Sequence, residues 1–266
     1  MRILITGSTG FIGKNLLLLF LEHDYEIVSL SRSNETVFEN IDVLSWELGQ
    51  CLPKLDYSKF DYAIHLAHDF NGIRGAKISI RSNVSIIKDL YDEGLNNQLY
   101  FSSYSAGSFA ESNYGKSKYI IEKRIKNMAG VTIVRPGLVI GNGGIYKRMK
   151  SISQFLPIIP LPDGGERAIP TIDIDTLCMM IYLYIESNNY LSEINLFNKY
   201  IKLKDILNSN NKLFPIFFSL PSKLFLNSFR LLGKFNLILP INADNVIGYI
   251  SNINAKHKSN IDQIAC

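Results

Sequence analysis

Arg2-Ile3-Leu4-Ile5 runs into Thr6-Gly7-Ser8-Thr9-Gly10-Phe11-Ile12-Gly13, and the reading of this stretch decides the fold. The first four residues make a short β-branched run. Phe11–Leu21 then carries apolar residues at helical spacing. A strand, a glycine-rich turn and a helix in that order form a cradle for phosphate. One glycine permits the tight turn, one lets the backbone approach a pyrophosphate, and one lets helix and strand pack closely. The helix start adds free N–H groups and a partial positive charge. The spacing therefore predicts a dinucleotide held by Gly7, Ser8, Thr9, Gly10, Phe11, Ile12 and Gly13.

Working outward, strand-like runs alternate with helical ones. Tyr25–Leu30, Asp61–Leu66, Gln98–Ser102 and Val131–Val134 read as strands, and Val84–Glu93 and Lys116–Asn127 as helices. This alternation predicts an α/β fold, a Rossmann-type doubly wound parallel sheet with right-handed crossovers. From about Asn142 the alternation fades. Pro157, Pro160, Pro162 and Gly164-Gly165 mark loops, Asp175–Ser187 and Leu203–Asn208 read as helices, and Asn195–Phe197 as a short strand. We expect residues 1–141 to form the NAD(P)-binding domain and 142–266 a small C-terminal substrate lobe, with part of the sheet shared. The lobe should sit over the carboxyl ends of the strands, where ligands bind in open α/β sheets.

Composition narrows the class. The 266 residues are 47% apolar and 20% charged, enough to bury about 70–75% of the unfolded surface without a disulfide or metal staple. A net charge of +4, read as dispersed, argues against nucleic acid and suits an anionic ligand. Cys51, Cys178 and Cys266 match neither zinc-site nor disulfide spacing. They read as reduced thiols of a cytoplasmic protein, and no metal is expected. No signal-type apolar region follows Met1. Leu213–Leu239 is the most apolar stretch, but Pro215, Lys223, Asn227, Arg230 and Lys234 interrupt it. It falls short of the about 18 apolar residues of a membrane span. It reads as buried helices or a lid, with peripheral membrane contact as the disfavoured alternative.

The chemistry concentrates in two places. The second strand ends at Leu30-Ser31-Arg32-Ser33, where an acidic residue would bond the adenosine ribose hydroxyls. A serine followed by an arginine suits a 2′-phosphate instead, favouring NADP over NAD. Further on, Tyr114-Gly115-Lys116-Ser117-Lys118 opens a helix. Residues four apart share a helix face, so Tyr114 and Lys118 can reach one site. The Lys118 ammonium favours the Tyr114 phenolate, fitting the tyrosine to move a proton at a carbinol. Upstream, Leu99-Tyr100-Phe101 runs into Ser102-Ser103. Ser103 is the chosen hydrogen-bond donor to a substrate oxygen, with Ser102 and Ser105 as rivals.

With these pieces in hand, the chain resembles an extended short-chain dehydrogenase/reductase of the NAD-dependent epimerase/dehydratase family. The matching segments are Thr6–Gly13, Ala63-Ile64-His65-Leu66-Ala67, Asn83-Val84, Phe101-Ser102-Ser103, Tyr114–Lys118, Val134-Arg135-Pro136-Gly137, Ile169–Asp175 and the tail Ile250–Lys258. The resemblance implies Ser103, Tyr114 and Lys118 as catalytic residues. Leu66, Ala67, Asn83, Lys118 and Pro136 join the glycine turn, Ser31 and Arg32 on the cofactor side. His65 is implied as a strand-end packing residue. Arg167, after Asp163-Gly164-Gly165-Glu166, resembles an arginine that contacts a nucleotide diphosphate, and Ser103 is its substrate-side companion. The implied substrate is a nucleotide sugar, the implied chemistry 4-keto-reduction or 4-epimerisation, and the implied assembly a homodimer. The dimer helices would be Val84–Glu93 and Lys116–Asn127, through Ile86, Ile87, Leu90, Ile120, Ile121 and Ile125. Two departures are informative. Sugar 4,6-dehydratases of the family place Asp-Glu after the catalytic hydroxyl residue, where this chain has Tyr104-Ser105. The segment after Ser103 also carries Ala106-Gly107 and Phe109 in place of the family's Tyr-Gly. The contrasting reading is a non-catalytic NADP-binding sensor or scaffold.

Overall fold

A computed structural model of the chain describes residues 1–32, 38, 40–68, 72–187, 189–208, 215–234 and 242–264. Ile3, Leu4 and Ile5 are each at most 1% exposed, because a central parallel strand is covered on both faces. That strand, Arg2–Thr6 (β1), leads to Phe11–Glu22 (α1), Glu26–Ser31 (β2), Asp42–Ser45 (β3), Tyr62–His65 (β4), Gly72–Asp92 (α2), Gln98–Phe101 (β5), Asn113–Ile125 (α3) and Val131–Pro136 (β6). Leu138–Ile140 (β7), Gly144–Phe155 (α4), Ile158–Pro162 (β8), Ala168–Asp173 (β9), Ile174–Ser187 (α5) and Glu193–Leu196 (β10) follow. Lys199–Lys202 (β11), Leu203–Asn208 (α6), Ile216–Leu220 (β12), Ser222–Lys234 (α7) and Ala243–Ser251 (α8) complete the order.

The main sheet has seven strands in the order β3-β2-β1-β4-β5-β6-β10. Every pairing in it is parallel. The expected doubly wound α/β sheet is therefore present. The direction of winding reverses between β1 and β4, which opens a crevice beyond their carboxyl ends. Leu16, Leu17 and Phe20 of α1 and Leu177, Ile181 and Ile185 of α5 cover one face. Ile86, Ile87 and Leu90 of α2 and Ile121 and Ile125 of α3 cover the other.

That second set corrects one sequence reading. Ile86, Ile87, Leu90, Ile121 and Ile125 were the proposed dimer contacts, yet each is at most 3% exposed within the single chain. They face the sheet because their helices need an apolar stripe against it. Ile120, 39% exposed, is the one member of the set on the outer side.

Residues beyond 142 do two jobs. α5 and β10 complete the main sheet and its cover. The parallel β8–β12 pair and the three-stranded β11-β9-β7 sheet, whose β7 precedes residue 142, stand outside the main sheet. Cys51 is exposed and Cys178 is buried, while Cys266 lies outside the described residues. Among the described residues no helix is long and apolar enough to cross a membrane.

One buried ion pair ties these layers together. Arg135 of β6 donates from Nε to Glu122 Oε1 at 2.8 Å and from a terminal nitrogen to Oε2 at 2.9 Å. The two side chains are 9% and 4% exposed. Another Arg135 nitrogen reaches Glu193 at 2.9 Å and Asn195 at 3.3 Å on β10. The Ser102 hydroxyl donates to Glu122 from the end of β5. Removing one partner of such a pair leaves a buried, uncompensated charge, which costs about 3–5 kcal/mol. Arg135→Met is expected to lower unfolding free energy by that amount in urea titrations. The double variant Glu122→Leu/Arg135→Met should recover most of the loss, since it buries no charge.

Candidate active site

The glycine turn lies beside the end of β4. Gly7 has φ of +75°, a left-handed conformation that glycine adopts without strain. A Cβ there would come within 2.6 Å of the Ala67 amide nitrogen and 2.8 Å of the Leu66 carbonyl carbon. Leu66 and Ala67 are fixed in turn by Thr6, whose carbonyl accepts from Leu66 N at 3.0 Å. The Thr6 hydroxyl accepts from Ala67 N at 3.4 Å. Helix α1 starts at Gly10 without a side-chain cap and without an acid in its first turn. Thr9 and Gly10 are exposed there. An uncapped helix start with bare backbone beside it fits a pyrophosphate, so the residues present suit a dinucleotide.

The side chains in this stretch have other work. Ser8 and Ser29 share a buried hydrogen bond of 2.5 Å that ties the turn to β2. Phe11 lies against the Gly141–Gly144 turn, Ile12 packs on the main core, and Gly13 is buried. Ser31 is buried and Arg32 is exposed where β2 ends. Asn83 is buried and donates to the Ser79 carbonyl of its own helix at 2.8 Å. Pro136 closes β6, and its carbonyl accepts from Tyr104 N at 3.1 Å. His65 is 2% exposed and shares a 2.8 Å hydrogen bond with Gln98. Burial holds its pKa down to about 4, so it is a neutral residue of the sheet interior.

The proposed catalytic residues meet at the start of α3. Ser103 hydrogen-bonds Tyr114. Lys118 Nζ lies 5.9 Å from the centre of the Tyr114 ring and 4.7 Å from that of Tyr100. It donates to the Phe101 carbonyl at 2.7 Å. The rival serines are committed elsewhere. Ser102 donates to Glu122, and Ser105 Oγ accepts from Asn252 at 3.0 Å. Burial pushes the Tyr114 hydroxyl up to about 12, against the downward pull of Ser103. Burial also draws Lys118 down to about 7, with Glu122 opposing. Both shifts come from a dry site with few countercharges.

Two neighbours escaped the sequence reading. His68 sits edge-on to Tyr114 with ring centres 5.1 Å apart. Burial, aided by Lys118, drives its pKa down to about 2, so it stays neutral. Asp244 of α8 accepts from Asn113 N at 2.7 Å and from Tyr114 N at 3.0 Å. Ser112 caps the next amide, Gly115 N, at 3.1 Å. Helix α3 thus begins with its first donors satisfied, two of them by a carboxylate 131 and 130 residues away. Gly115 makes the close approach possible, since a Cβ there would meet the Ser105 carbonyl oxygen at 2.5 Å. Asn252 and His257 add further ties, to Ser105 and to the Ala106 carbonyl.

Arg167 stands apart from this cluster. It donates to Asp163 at 2.5 Å and to the Ile250 carbonyl of α8 at 3.0 Å. Asp163 also accepts from the Ser222 amide at 2.9 Å at the start of α7. Arg167 therefore joins the turn after β8 to α8, with its side chain 28% exposed.

Two measurements check this geometry. Asp244→Ala should cost about 1 kcal/mol of stability, the usual worth of a helix cap. It should also raise hydrogen exchange at the Asn113 and Tyr114 amides while sparing β1. Lys118 carries a pH dependence with a definite sign. Its folded pKa, about 7, lies below the ordinary lysine value of 10.5. Between these values the unfolded chain binds the extra proton, so stability rises with pH across that window and the full penalty applies below it. Lys118→Met should raise the melting temperature, and by a larger margin near about pH 6 than near about pH 10.

Comparison with known proteins agrees with this architecture. The profile of the NAD dependent epimerase/dehydratase family matches residues 3–159. TunA, an NAD dependent NDP-hexosamine 5,6-dehydratase involved in tunicamycin biosynthesis, superimposes with a TM-score of 0.67 at 18% identity. That match covers 83% of this chain and 84% of the other. The UDP-N-acetylglucosamine 4-epimerase from Bacillus cereus gives a TM-score of 0.64 at 15% identity, covering 98% and 99%. In sequence, the mitochondrial NADH dehydrogenase [ubiquinone] 1 alpha subcomplex subunit 9 of Dictyostelium discoideum is 26% identical over 170 residues. That alignment takes in 59% of this chain and spans about half, 48%, of the relative. A glycine turn on β1, a parallel sheet that reverses beside it and a profile match over more than half its length together establish that the chain belongs to the NAD dependent epimerase/dehydratase family.

Proposed function

We propose that this protein is an NAD(P)-dependent oxidoreductase acting at C4 of a nucleotide-activated sugar. The observation that carries the reading is the hydrogen bond between Ser103 and Tyr114, with Lys118 one helical turn behind. When bound, the nicotinamide supplies the site where hydride is accepted or given up. The chain's own residues do the rest. Gly7–Gly13 receive the pyrophosphate against the α1 start, and Leu66 and Ala67 border the turn on the β4 side. Ser103 donates to the sugar oxygen, and Tyr114 holds or moves the proton at that oxygen. Lys118, buried behind the tyrosine, lowers the cost of the phenolate whenever it carries its proton. Arg167 and the lobe beyond 142 face the nucleotide diphosphate side of the substrate.

Among the chemistries that these residues serve, 4-keto-reduction with NADPH is favoured by Arg32, exposed where the adenosine ribose is held. Epimerisation at C4 uses the same three residues and differs in which face of the sugar takes the hydride. A different reading, a cofactor-binding subunit of a larger assembly, draws on the likeness to the alpha subcomplex subunit. The assembled Ser103, Tyr114 and Lys118 speak against it, because a structural subunit has no need of a proton-transfer group.

Two experiments test the proposal. Tyr114→Phe should reduce turnover of the keto sugar by about 10²–10⁴-fold with cofactor affinity kept. Wild-type turnover in that variant removes the tyrosine from the chemistry. Isothermal titration should show NADPH binding about tenfold or more above NADH, and Arg32→Ala should erase the difference.

A further inference from the structure

The smaller lobe presents an apolar face to solvent. In the parallel β8–β12 pair, Ile216 lies opposite Ile158 and Phe218 opposite Pro160. Directly paired residues share a face, and alternate ones point the other way. The inner face carries Ile159 and Leu161, 4% and 2% exposed, in a small core with Leu203 and Leu207. The outer face leaves Ile216 66%, Ile158 54% and Phe218 43% exposed, with Leu156 close in sequence at 47%. Helix α7 repeats the pattern. Phe225 turns inward at 5% exposure, while Leu224 and Leu231 stand out at 55% and 56%. Seven residues apart, these leucines lie on one side of the helix, together with exposed Lys223 and Asn227. Of the two readings of Leu213–Leu239, buried helices or a lid, the first does not hold at Ile216, Phe218, Leu224 and Leu231, while residues 213–214 and 235–239 lie outside the described residues.

Cations accompany the helix. The sequence of α7 holds Lys223, Arg230 and Lys234 and no Asp or Glu, with Lys223 exposed beside Leu224.

We propose that this face docks peripherally on an anionic phospholipid surface. Apolar side chains of the ribbon and along one helix side can enter the headgroup boundary, while the helix cations meet the lipid phosphates. A second copy fits worse, because two equally basic faces repel on approach. A nucleoside diphosphate would use the cations but has no need of exposed apolar side chains.

Flotation of the full chain with lipid vesicles tests this directly. The protein should float with phosphatidylcholine and phosphatidylglycerol in equal parts, remain behind with phosphatidylcholine alone, and be released by salt. Ile216→Ser/Phe218→Ser and Leu224→Ser/Leu231→Ser should each lower partitioning at least about tenfold, and Lys223→Glu about tenfold. Unchanged thermal unfolding certifies the fold of each variant. Should an apolar pair fail to fold, Lys223→Glu decides alone. The proposal is overturned by absence of flotation on the mixed vesicles, or by equal recovery of wild type and folded variants. Release by millimolar UDP overturns it in favour of a nucleotide site. A lipid-free dimer lost in Ile216→Ser/Phe218→Ser overturns it in favour of self-association.

Discussion

The bidentate pair between Glu122 and Arg135 is the constraint on which the site depends. Glu122 lies one turn beyond Lys118 on α3, so fixing its carboxylate fixes the height and rotation of the helix that carries Tyr114. Arg135 spreads the same anchor to Glu193 and Asn195 on β10. Asn195 in turn holds the chain after α8 through its bonds with Lys258 and Asn260. One buried guanidinium thus links α3, two sheet strands and the tail. Its geometry is planar and forked, which lysine cannot reproduce.

The electrostatics of the site follow from dryness. Tyr114, Lys118 and His68 all move toward their neutral forms because burial dominates the countercharges near them. Glu122 is the nearest compensation for Lys118, and its charge is shared with Arg135. Such a site is poised: charge arriving with a bound cofactor acts with little screening by solvent and shifts these groups strongly. A single construction thus serves anchoring and tuning.

The start of α3 shows how the lobe and the sheet cooperate. Asp244 and Ser112 satisfy its first donors, and Asn252 and His257 hold the preceding loop. Arg167 grips α8 from the other side through the Ile250 carbonyl. Helix α8 is therefore a strut between the turn after β8 and the start of α3.

Local sequence determined much of this protein. Gly7 through Gly13 after a β-branched run specified strand, turn and helix, because only a glycine at 7 tolerates both its positive φ and the approach of Ala67. Alternating apolar periods specified the parallel sheet, and the four-residue step from Tyr114 to Lys118 specified a shared helix face. Each of these is a short-range rule of backbone sterics or periodicity. Tertiary structure decided what lay beyond that range. That Glu122 engages the Ser102 hydroxyl and Asn252 that of Ser105 is visible only in the folded chain. Asp244 carries no local mark of its role, since its partners lie 131 and 130 residues away. Apolar spacing alone did not tell Ile86 and Ile121, which face the sheet, from Ile216 and Leu224, which face solvent. Periodicity reports that a face is apolar, and only the packed chain reports what lies against it.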